Sequence, residues 1–445
     1  MTQKTFFIKT YGCQMNERDS EIIAQILTDN GYIESIEIDN ADLVLLNTCS
    51  IRAKAEQKVM SALGALRKNK KKKPKMQICV AGCVAQQEGA QIQEKMPHVD
   101  LIIGTQHIYS IHTLLEKSRI EGPIAATNLD DKYAIPKFIP DTSDIEIESQ
   151  FRKFVTIMQG CNNFCTYCVV PYTRGREVSR SVKDIIEEVE ALVQSGIREI
   201  TLLGQNVNSY ARTNIVTEDG TPYSFAKLLK VVSEVSGLKR LRFTTSNPKD
   251  LSEELMKTFK EIDVLCPQFH LPVQAGSDKV LKEMNRKYSV AEYLELVDML
   301  RSYCPDVAIS TDVIVGFPGE TEEDFEGTME LLNTVRYHSS FSFKYSDRPG
   351  TRANEFTNKV DEKIKSERLA RFQKRQNEIC YERNLEYVGK EVEILLEEVK
   401  PGEIKGRTAT NHIVHIKDDI DLRAGDFLMV CVTDAGQHSL RGKIL

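Results

Sequence analysis

At 445 residues, the chain is too long for one ordinary domain, and we expect two or three domains. Its 41% of hydrophobic residues exclude a chain that is disordered throughout, and its net charge of −6 excludes a uniformly basic nucleic-acid binder, leaving only local basic patches for that role. Eleven cysteines, without a recognisable signal peptide or a membrane-length apolar run, predict a cytoplasmic protein whose thiols serve metal chemistry rather than disulfides.

Strand and helix patterns alternate over the first 120 residues. Four short apolar stretches are predicted as strands, at residues 6–10, 43–47, 76–81 and 99–103. Helical stretches separate them. This alternation is typical of an α/β fold, and it predicts an N-terminal flavodoxin-like domain, residues 1–120, with a parallel sheet covered by helices on both faces.

Thiols come directly after the first three of these strands, as Cys13, Cys49 and Cys83. Because the carboxyl ends of parallel strands meet at the same edge of a sheet, topology alone brings the three together. Gly12 and Gly82 beside them allow the backbone to approach a bulky group. We therefore predict a cluster site with one open corner, and regard chance placement at three strand ends as the weaker alternative. Cys79, inside a strand, is predicted as a core residue.

Two further segments precede the central region. Residues 67–75 form a run of basic side chains, which is either the solvated end of a helix or a patch that contacts phosphates, and the sequence favours neither. Residues 121–146 lose hydrophobic periodicity and contain several prolines and the start of an acidic run, so we predict a linker there.

A loop of eight residues carries three more thiols, at Cys161, Cys165 and Cys168. A structural zinc site normally takes four ligands as two separated pairs, whereas a four-iron cube has four corners that thiolates usually fill. Three thiolates on one loop leave one iron open. The spacing resembles the signature of radical S-adenosylmethionine (SAM) enzymes, and a zinc loop with a distant fourth ligand is the weaker alternative.

We predict six strands in the domain 147–380, at residues 154–158, 199–203, 240–245, 268–271, 307–315 and 340–345. Helical stretches lie between them, such as 181–194 and 321–335, and a long charged helix at about 361–385 leads out of the domain. This pattern predicts a partial (βα)6 barrel, a radical SAM barrel if the loop is what it resembles. Polar residues at the strand ends, and an aromatic residue in the cysteine loop, are candidates for binding the cofactor or substrate: Tyr167, Gln205, Asn206, Ser246, His270, Gln274 and Asp312. Structural roles are equally compatible with them. Arg174 and Arg176 are predicted to clamp a carboxylate or a phosphate.

The last segment, residues 384–445, consists of short strands separated by turns, and predicts a small β-barrel.

The motifs together resemble the methylthiotransferase family of radical SAM enzymes over essentially the whole chain. They are Tyr11 to Asn16, Asn47 to Cys49, Gly82 and Cys83, Gly160 to Cys168, and Pro171 to Arg176. The resemblance implies a terminal TRAM barrel, SAM as cofactor and two [4Fe–4S] clusters, one on each cysteine triad. It also implies a tRNA substrate, an external electron donor and no membrane association, and we expect a monomer.

The implied reaction is methylthiolation of carbon-2 of N6-isopentenyladenosine at tRNA position 37. That carbon carries no acidic proton, so a base cannot activate it, whereas a 5′-deoxyadenosyl radical made from SAM at the Cys161/Cys165/Cys168 cluster removes its hydrogen. The resemblance implies that the other cluster carries the sulfur, which a second SAM methylates. Within the family, N6-threonylcarbamoyladenosine is the alternative substrate. The alternative from another class is a non-catalytic iron–sulfur protein that binds RNA.

Overall fold

The computed structural model describes residues 3–50, 53–142, 151–212, 214–216, 220–418 and 421–445. The chain divides into two compact units. The first comprises Met1–Asp141, Thr156–Asn162 and Val169–Asp184, and the second comprises Thr142–Val155, Asn163–Cys168 and Ile185–Leu445. The first unit thus includes two segments that the sequence places in the predicted domain 147–380. The predicted domain boundaries stay predictions, and residues 143–146 of the predicted linker lie outside the described residues.

A six-stranded parallel sheet forms the body of the first unit. Its strands are β1 Lys4–Thr10, β2 Tyr32–Glu34, β3 Leu43–Thr48, β4 Gln77–Gly82, β5 Leu101–Ile103 and β6 Ile124–Ala126, in the order β2-β1-β3-β4-β5-β6. The helices are α1 Gln14–Asp29, α2 Ala53–Lys72, α3 Cys83–Lys95 and α4 Ile111–Glu121. The parallel α/β prediction is confirmed.

Alternate residues of the central strands enter two separate cores. Leu43 and Leu45 pack in one core, whereas Val44 and Leu46 pack in the other. Because successive strand side chains point to opposite faces, the sheet is buried on both faces, as helices on both sides require. Cys79 is fully buried in the first core, which confirms its predicted structural role.

Both edge strands of this sheet escaped the sequence analysis. β2 and β6 are three residues long, too short to show a period, and β6 lies inside the stretch that we predicted as a linker. β6 pairs in parallel with β5 and so extends the sheet by one strand.

The central region contributes two three-stranded sheets. Its strands are β7 Arg152–Thr156, β8 Met158–Gln159, β9 Val178–Ser179, β10 Glu199–Leu203, β11 Arg240–Thr244, β12 Gln268–His270, β13 Ala308–Val315 and β14 Ser339–Lys344. The sheets run β11-β10-β7 and β12-β13-β14, and β8 pairs with β9. Six longer strands in chain order agree with the predicted six units, but the predicted strand 154–158 is wrong as one element. It is split between β7 and β8.

Helices alternate with these strands. They are α5 Val170–Thr173, α6 Val182–Gln194, α7 Phe225–Ser233, α8 Glu253–Glu261, α9 Asp278–Glu283, α10 Val290–Tyr303, α11 Glu322–Val335 and α12 Glu362–Leu385. Reciprocal hydrogen bonds between Ser289 and Glu292 begin α10, and Thr321 with Asp324 does the same for α11. Such capping boxes satisfy backbone N–H groups that a helix start leaves unpaired.

A closed five-stranded barrel ends the chain, as predicted. Its strands are β15 Glu391–Lys400, β16 Glu403–Thr408, β17 Ile413–Ile416, β18 Phe427–Ala435 and β19 Leu440–Ile444, in the closed order β15-β16-β17-β19-β18. Closure leaves no unpaired strand edge. Arg242, at β11, fixes the barrel to the central region by donating to the carbonyls of Thr408 at 3.0 Å and Ala409 at 2.8 Å.

Within the described part of the chain, no helix combines the length and the apolar character needed to cross a bilayer.

Candidate functional site

Three thiols stand at the carboxyl edge of the first unit's sheet. Cys13 follows β1 and precedes α1, Cys49 follows β3, and Cys83 is the first residue of α3 after β4. Because β1, β3 and β4 are neighbours in the sheet, the three cysteines follow three adjacent strands. Cys49 and Cys83 are buried, and Cys13 is partly exposed.

Two glycines bring the backbone close to these thiols. Gly12 has φ +113°, and a Cβ there would lie 2.1 Å from Cys49 Cβ. Gly82 has φ +90°, and its Cβ would lie 2.4 Å from the Thr48 carbonyl oxygen. Glycine alone accepts both the positive φ and the absence of space. The local sequence is thus built for a tight cradle around the cysteines.

Arg174 provides a buried cation beside the same thiols. Its Nη2 donates to Asp19 Oδ2 at 2.8 Å and to Asn16 Oδ1 at 3.0 Å. Burial raises the pKa of Cys83, and the Arg174 charge opposes that rise. The hydrogen bond with Cys49, helped by the Arg174 charge, lowers the pKa of Cys13 to about 6. A thiolate is the form that binds metal, so this cation favours a ligand set of thiolates.

Arg174 clamps a carboxylate, as predicted, and that carboxylate belongs to the chain itself, on Asp19. Burial raises the pKa of Asp19, and the Arg174 charge opposes that rise. Sequence could not show the pair, because its members are separated by 155 residues. Arg176 is exposed, and its carbonyl lies against Gly160.

The loop of the second cysteine triad begins in the first unit. Gly160 has φ +81°, and a Cβ there would lie 2.1 Å from the Arg176 carbonyl oxygen. The Cys161 N–H donates to the Gly175 carbonyl oxygen at 3.3 Å, and Cys161 is buried. The residues just after the loop therefore fix the chain where the loop starts.

The rest of the loop, in the second unit, is held by the end of α9. Thr166 N–H donates to the Met284 carbonyl oxygen at 3.0 Å, and Thr166 Oγ1 donates to the Glu283 carbonyl oxygen at 2.8 Å. The next residue, Asn285, has φ +58° and donates from Nδ2 to the Phe164 carbonyl oxygen at 3.0 Å. Asparagine tolerates this left-handed conformation, which commonly ends a helix.

Arg286, in the same turn, contacts one of the loop thiols. Its Nη1 donates to Cys165 Sγ at 3.4 Å. Sequence reasoning missed Arg286, because it lies 121 residues from the thiol and belongs to no motif that we recognised.

Two of the predicted cofactor- or substrate-binding residues, His270 and Asp312, meet at the β12-β13-β14 sheet. His270 Nδ1 lies 2.6 Å from Thr245 Oγ1, and His270 Nε2 lies 3.2 Å from Asp312 Oδ1. The ring of Phe341, opposite Asp312 on β14, meets the His270 ring edge-on at 6.2 Å and is 54% exposed. Phe341 was also missed. The alternation of Ser and Phe in β14 is the signal that would have marked it.

The other predicted binding residues have mixed surroundings. Asn206 is buried and donates from Nδ2 to Asp250 Oδ2 at 2.7 Å, whereas its Oδ1 and Ser246 Oγ have no hydrogen-bond partner within the described ranges. Gln274 has φ +75°, and its main chain hydrogen-bonds β13. Burial raises the pKa of the Tyr167 phenol well above 10, so it stays neutral. Gln205 is half-buried.

In the residues that the structure describes, no three Cys, His, Asp or Glu side chains converge as ligands of a single metal ion. The thiolates of an iron–sulfur cluster bind different iron atoms, which is a different arrangement.

The lysine run is divided between ion-paired and exposed side chains. Lys70 Nζ lies 2.8 Å from Asp100 Oδ2, and Lys73 Nζ lies 2.8 Å from Asp42 Oδ1. Lys71, Lys72 and Lys75 are exposed. The paired lysines therefore serve the fold, whereas both interpretations of the run stay open for the exposed ones.

Comparison with known proteins gives three matching family models: Radical SAM superfamily at residues 155–332, Uncharacterized protein family UPF0004 at 5–104, and TRAM domain at 385–445. The tRNA-2-methylthio-N(6)-dimethylallyladenosine synthase of Desulfotalea psychrophila is 74% identical over 445 residues, covering all of both chains. The chain belongs to this synthase family. Synthases of the same name from Syntrophus aciditrophicus and Geobacter sulfurreducens are each 45% identical, over 100% and 99% of this chain and 95% and 98% of theirs.

Solved structures share the fold at low identity. The radical SAM methyltransferase TsrM from Kitasatospora setae matches with a TM-score of 0.56 and 13% identity, over 79% of this chain and 75% of that one. The cobalamin-dependent radical SAM enzyme OxsB matches with a TM-score of 0.52 and 11% identity, over 84% and 56%. At such low identity, these two matches show only that the chain shares their fold. The match to the radical SAM family model is what implies SAM and a [4Fe–4S] cluster.

Proposed function

We propose that this protein adds a methylthio group to carbon-2 of N6-dimethylallyladenosine (N6-isopentenyladenosine) at position 37 of tRNA. The observation that carries the proposal is the 74% identity, over the full length of both chains, to a relative named for this product. Relatives at 43–45% identity carry the same name, so the threonylcarbamoyl alternative has no observation in its favour.

The cofactors of the proposal are SAM and two [4Fe–4S] clusters, with Cys161, Cys165 and Cys168 as ligands of one and Cys13, Cys49 and Cys83 as ligands of the other. Each triad offers three sulfur donors, with glycines and a nearby arginine that suit a bulky, negatively charged group. When bound, the clusters supply the electron that cleaves SAM and the sulfur that enters the product. The residues around the triads exclude water and orient these groups.

Around the substrate base, the chain's own task is orientation. The exposed ring of Phe341 offers an apolar face, and the hydrogen-bonded chain from Thr245 through His270 to Asp312 fixes polar groups beside it. An adenine ring needs a flat apolar surface and a few placed hydrogen-bonding groups, and an aromatic face provides the strongest stacking. We place the modified base against this face.

We expect the tRNA to bind at local basic patches of the surface. The barrel matches the TRAM domain, but Arg407 and Lys405 on it are both ion-paired with Glu397, at 2.6 and 3.5 Å. We therefore assign phosphate contacts first to the exposed lysines of the run, Lys71, Lys72 and Lys75. The protein acts as a cytoplasmic monomer, with an external one-electron donor.

The decisive experiment analyses tRNA nucleosides by mass spectrometry from a strain that lacks the gene. Loss of the 2-methylthio nucleoside, accumulation of N6-dimethylallyladenosine, and recovery with the wild-type gene are expected. A variant with Cys13, Cys49 and Cys83 replaced should fail to restore the product while the purified protein still releases 5′-deoxyadenosine. Unchanged nucleosides in the deletion strain contradict the proposal, and an absence of 5′-deoxyadenosine from the wild type favours a non-catalytic RNA-binding protein.

A further inference from the structure

Arg286 makes several hydrogen bonds that the proposed reaction does not explain. Its Nε donates to the Tyr288 hydroxyl at 2.7 Å and its Nη2 donates to the Pro272 carbonyl oxygen at 2.9 Å. The guanidinium also lies over the Tyr288 ring, 5.1 Å from its centroid. Since these contacts fix the plane of the guanidinium, they also fix the directions of the Nη1 N–H bonds, one of which points at Cys165 Sγ.

The support around Arg286 is itself rigid. The Tyr288 hydroxyl lies 2.9 Å from the Val273 carbonyl oxygen, and the Tyr288 ring is buried. On the other side, Asn285 binds the Phe164 carbonyl oxygen in the cysteine loop. A long cation is costly to hold in one rotamer on a surface, but here two neighbours and the backbone turn fix it.

A charged donor at a cluster thiolate has a definite physical consequence. One-electron reduction of a [4Fe–4S]²⁺ cluster to the 1+ state adds one negative charge to the cluster and its thiolates. A guanidinium that donates to a ligand sulfur stabilises the more negative state more than the oxidised state. Hydrogen bonds to sulfur are among the main factors that set the potential of such clusters.

We propose that Arg286 is a positioning residue that holds Cys165 and raises the reduction potential of the cluster bound through it, so that a one-electron donor reduces the cluster more readily. The inference rests on the proposed function in one respect, namely that Cys165 is a cluster ligand. It assigns to the turn after α9 a role in electron transfer to the cluster.

The test is a redox titration of anaerobically reconstituted full-length protein, in which Cys13, Cys49 and Cys83 are replaced by alanine so that one cluster remains. Electron paramagnetic resonance follows the reduced cluster while the solution potential is set with dithionite and mediators. In Arg286→Gln, we expect the ratio of reduced to oxidised cluster at a fixed potential to fall about tenfold, which corresponds to a shift of about 59 mV for one electron.

Two controls make the result specific. Arg301→Gln removes another half-buried arginine, one that donates to the Val335 carbonyl oxygen away from the cysteine loop, and should leave the potential unchanged. Arg286→Lys keeps the charge but loses the three-way fork, and should give a potential between those of the wild type and Arg286→Gln.

An Arg286→Gln protein with full iron content and the wild-type potential overturns the proposal. If that variant fails to hold iron, Arg286→Lys decides, and a wild-type potential in the lysine protein overturns it. Cys165→Ala separates this outcome from a failure of the proposed function. If that variant binds iron as the parent does, Cys165 is not a ligand and the cluster assignment falls with the inference.

Discussion

Gly12 is the residue on which the N-terminal cysteine site depends most directly. Gly12→Ala combines a strained φ of +113° with a Cβ that overlaps the Cys49 side chain. We predict that reconstituted Gly12→Ala binds about four iron atoms per chain, against about eight in the wild type, and forms no methylthio product. Release of 5′-deoxyadenosine should persist, because the second triad is untouched.

Gly31 provides the matched control. It also has a positive φ, +81°, but a Cβ there meets nothing within 4 Å. Gly31→Ala should therefore cost some stability through strain while it retains the full iron content. Equal iron in the Gly12 and Gly31 variants would show that the close approach at Cys49 is not needed.

Phe341 allows a direct measurement of base binding. The chain contains no tryptophan, so Phe341→Trp introduces a single indole, which can be excited apart from the tyrosines, at the proposed stacking face. We predict that an anticodon-stem hairpin with N6-dimethylallyladenosine quenches its emission, because the base stacks on the indole. Phe341→Leu should raise KM with a smaller change in kcat, since stacking acts on substrate binding before the reaction.

A control for this measurement is Phe259→Trp, at a half-buried ring that packs against the buried rings of Phe243 and Phe269. Its emission should not respond to the hairpin. Quenching at both positions, or at neither, would contradict a base-binding face at Phe341.

At the scale of single elements, the lysines at the C-terminal end of α2 and just after it divide into one set expected to bind tRNA and another expected to stabilise the fold. We predict that replacing Lys71, Lys72 and Lys75 by glutamine weakens tRNA binding and lowers the log–log salt slope by up to about 2–3, since each phosphate contact contributes about 0.7–0.9. Filter-binding measurements of tRNA affinity over a series of salt concentrations give both the affinity and the slope. SAM cleavage should be unchanged.

The two ion-paired lysines of the same run provide the matched control for this experiment. Lys70→Gln with Lys73→Gln should leave the salt slope unchanged and lower the free energy of unfolding by about 0.2–1 kcal/mol for each lost pair. A slope that responds only to this pair would reverse our assignment of the phosphate contacts.

The sequence predicted the elements well where a period was long enough to show. The strand Glu199–Leu203 was predicted to the residue, and α6, α11 and α12 to within one residue at their N-terminal ends. The three-residue strands β2 and β6 were missed because three residues carry no period and neither lies in a longer apolar stretch, which is what marked the equally short β5 at 99–103.

Cysteine placement after three strands was predictable, because parallel topology fixes which ends of the strands meet. The partners Asp19–Arg174 and Cys165–Arg286 were not, since no local pattern links residues more than a hundred positions apart.

At the scale of the molecule, the junction of the barrel with α12 and β14 is sensitive to acid. Burial lowers the pKa of His338 to about 3 and that of His412 to about 4, and the two rings lie 5.6 Å apart. The unfolded chain therefore binds more protons than the folded protein between about pH 4 and about pH 6.5. Stability is fully present above about pH 6.5 and falls as the pH decreases through this window, by up to about 1.4 kcal/mol per pH unit for each ring.

Thermal unfolding between pH 7 and pH 5.5 tests this dependence. His412→Gln keeps a polar side chain of similar length but cannot be protonated, so we expect a shallower loss of Tm with decreasing pH than in the wild type. His415→Gln, within β17 and three residues after His412, is the control and should keep the wild-type pH dependence. Parallel curves for wild type and His412→Gln would contradict the assignment.

The discontinuity of the first unit limits how this protein can be divided or recombined. Judged from the order of elements along the sequence, the chain could be divided anywhere in residues 142–155, because all six strands of the parallel sheet precede this segment. Such a cut would separate Asp19 from Arg174, which returns from 169–184, and leave a buried carboxylate without its cation. Breaking a buried pair in this way typically costs about 3–5 kcal/mol. Chimaeras that exchange the N-terminal third between relatives should therefore fold only when the short stretch around Arg174 comes from the same parent. We expect these two parts of the sequence to be exchangeable only as a pair.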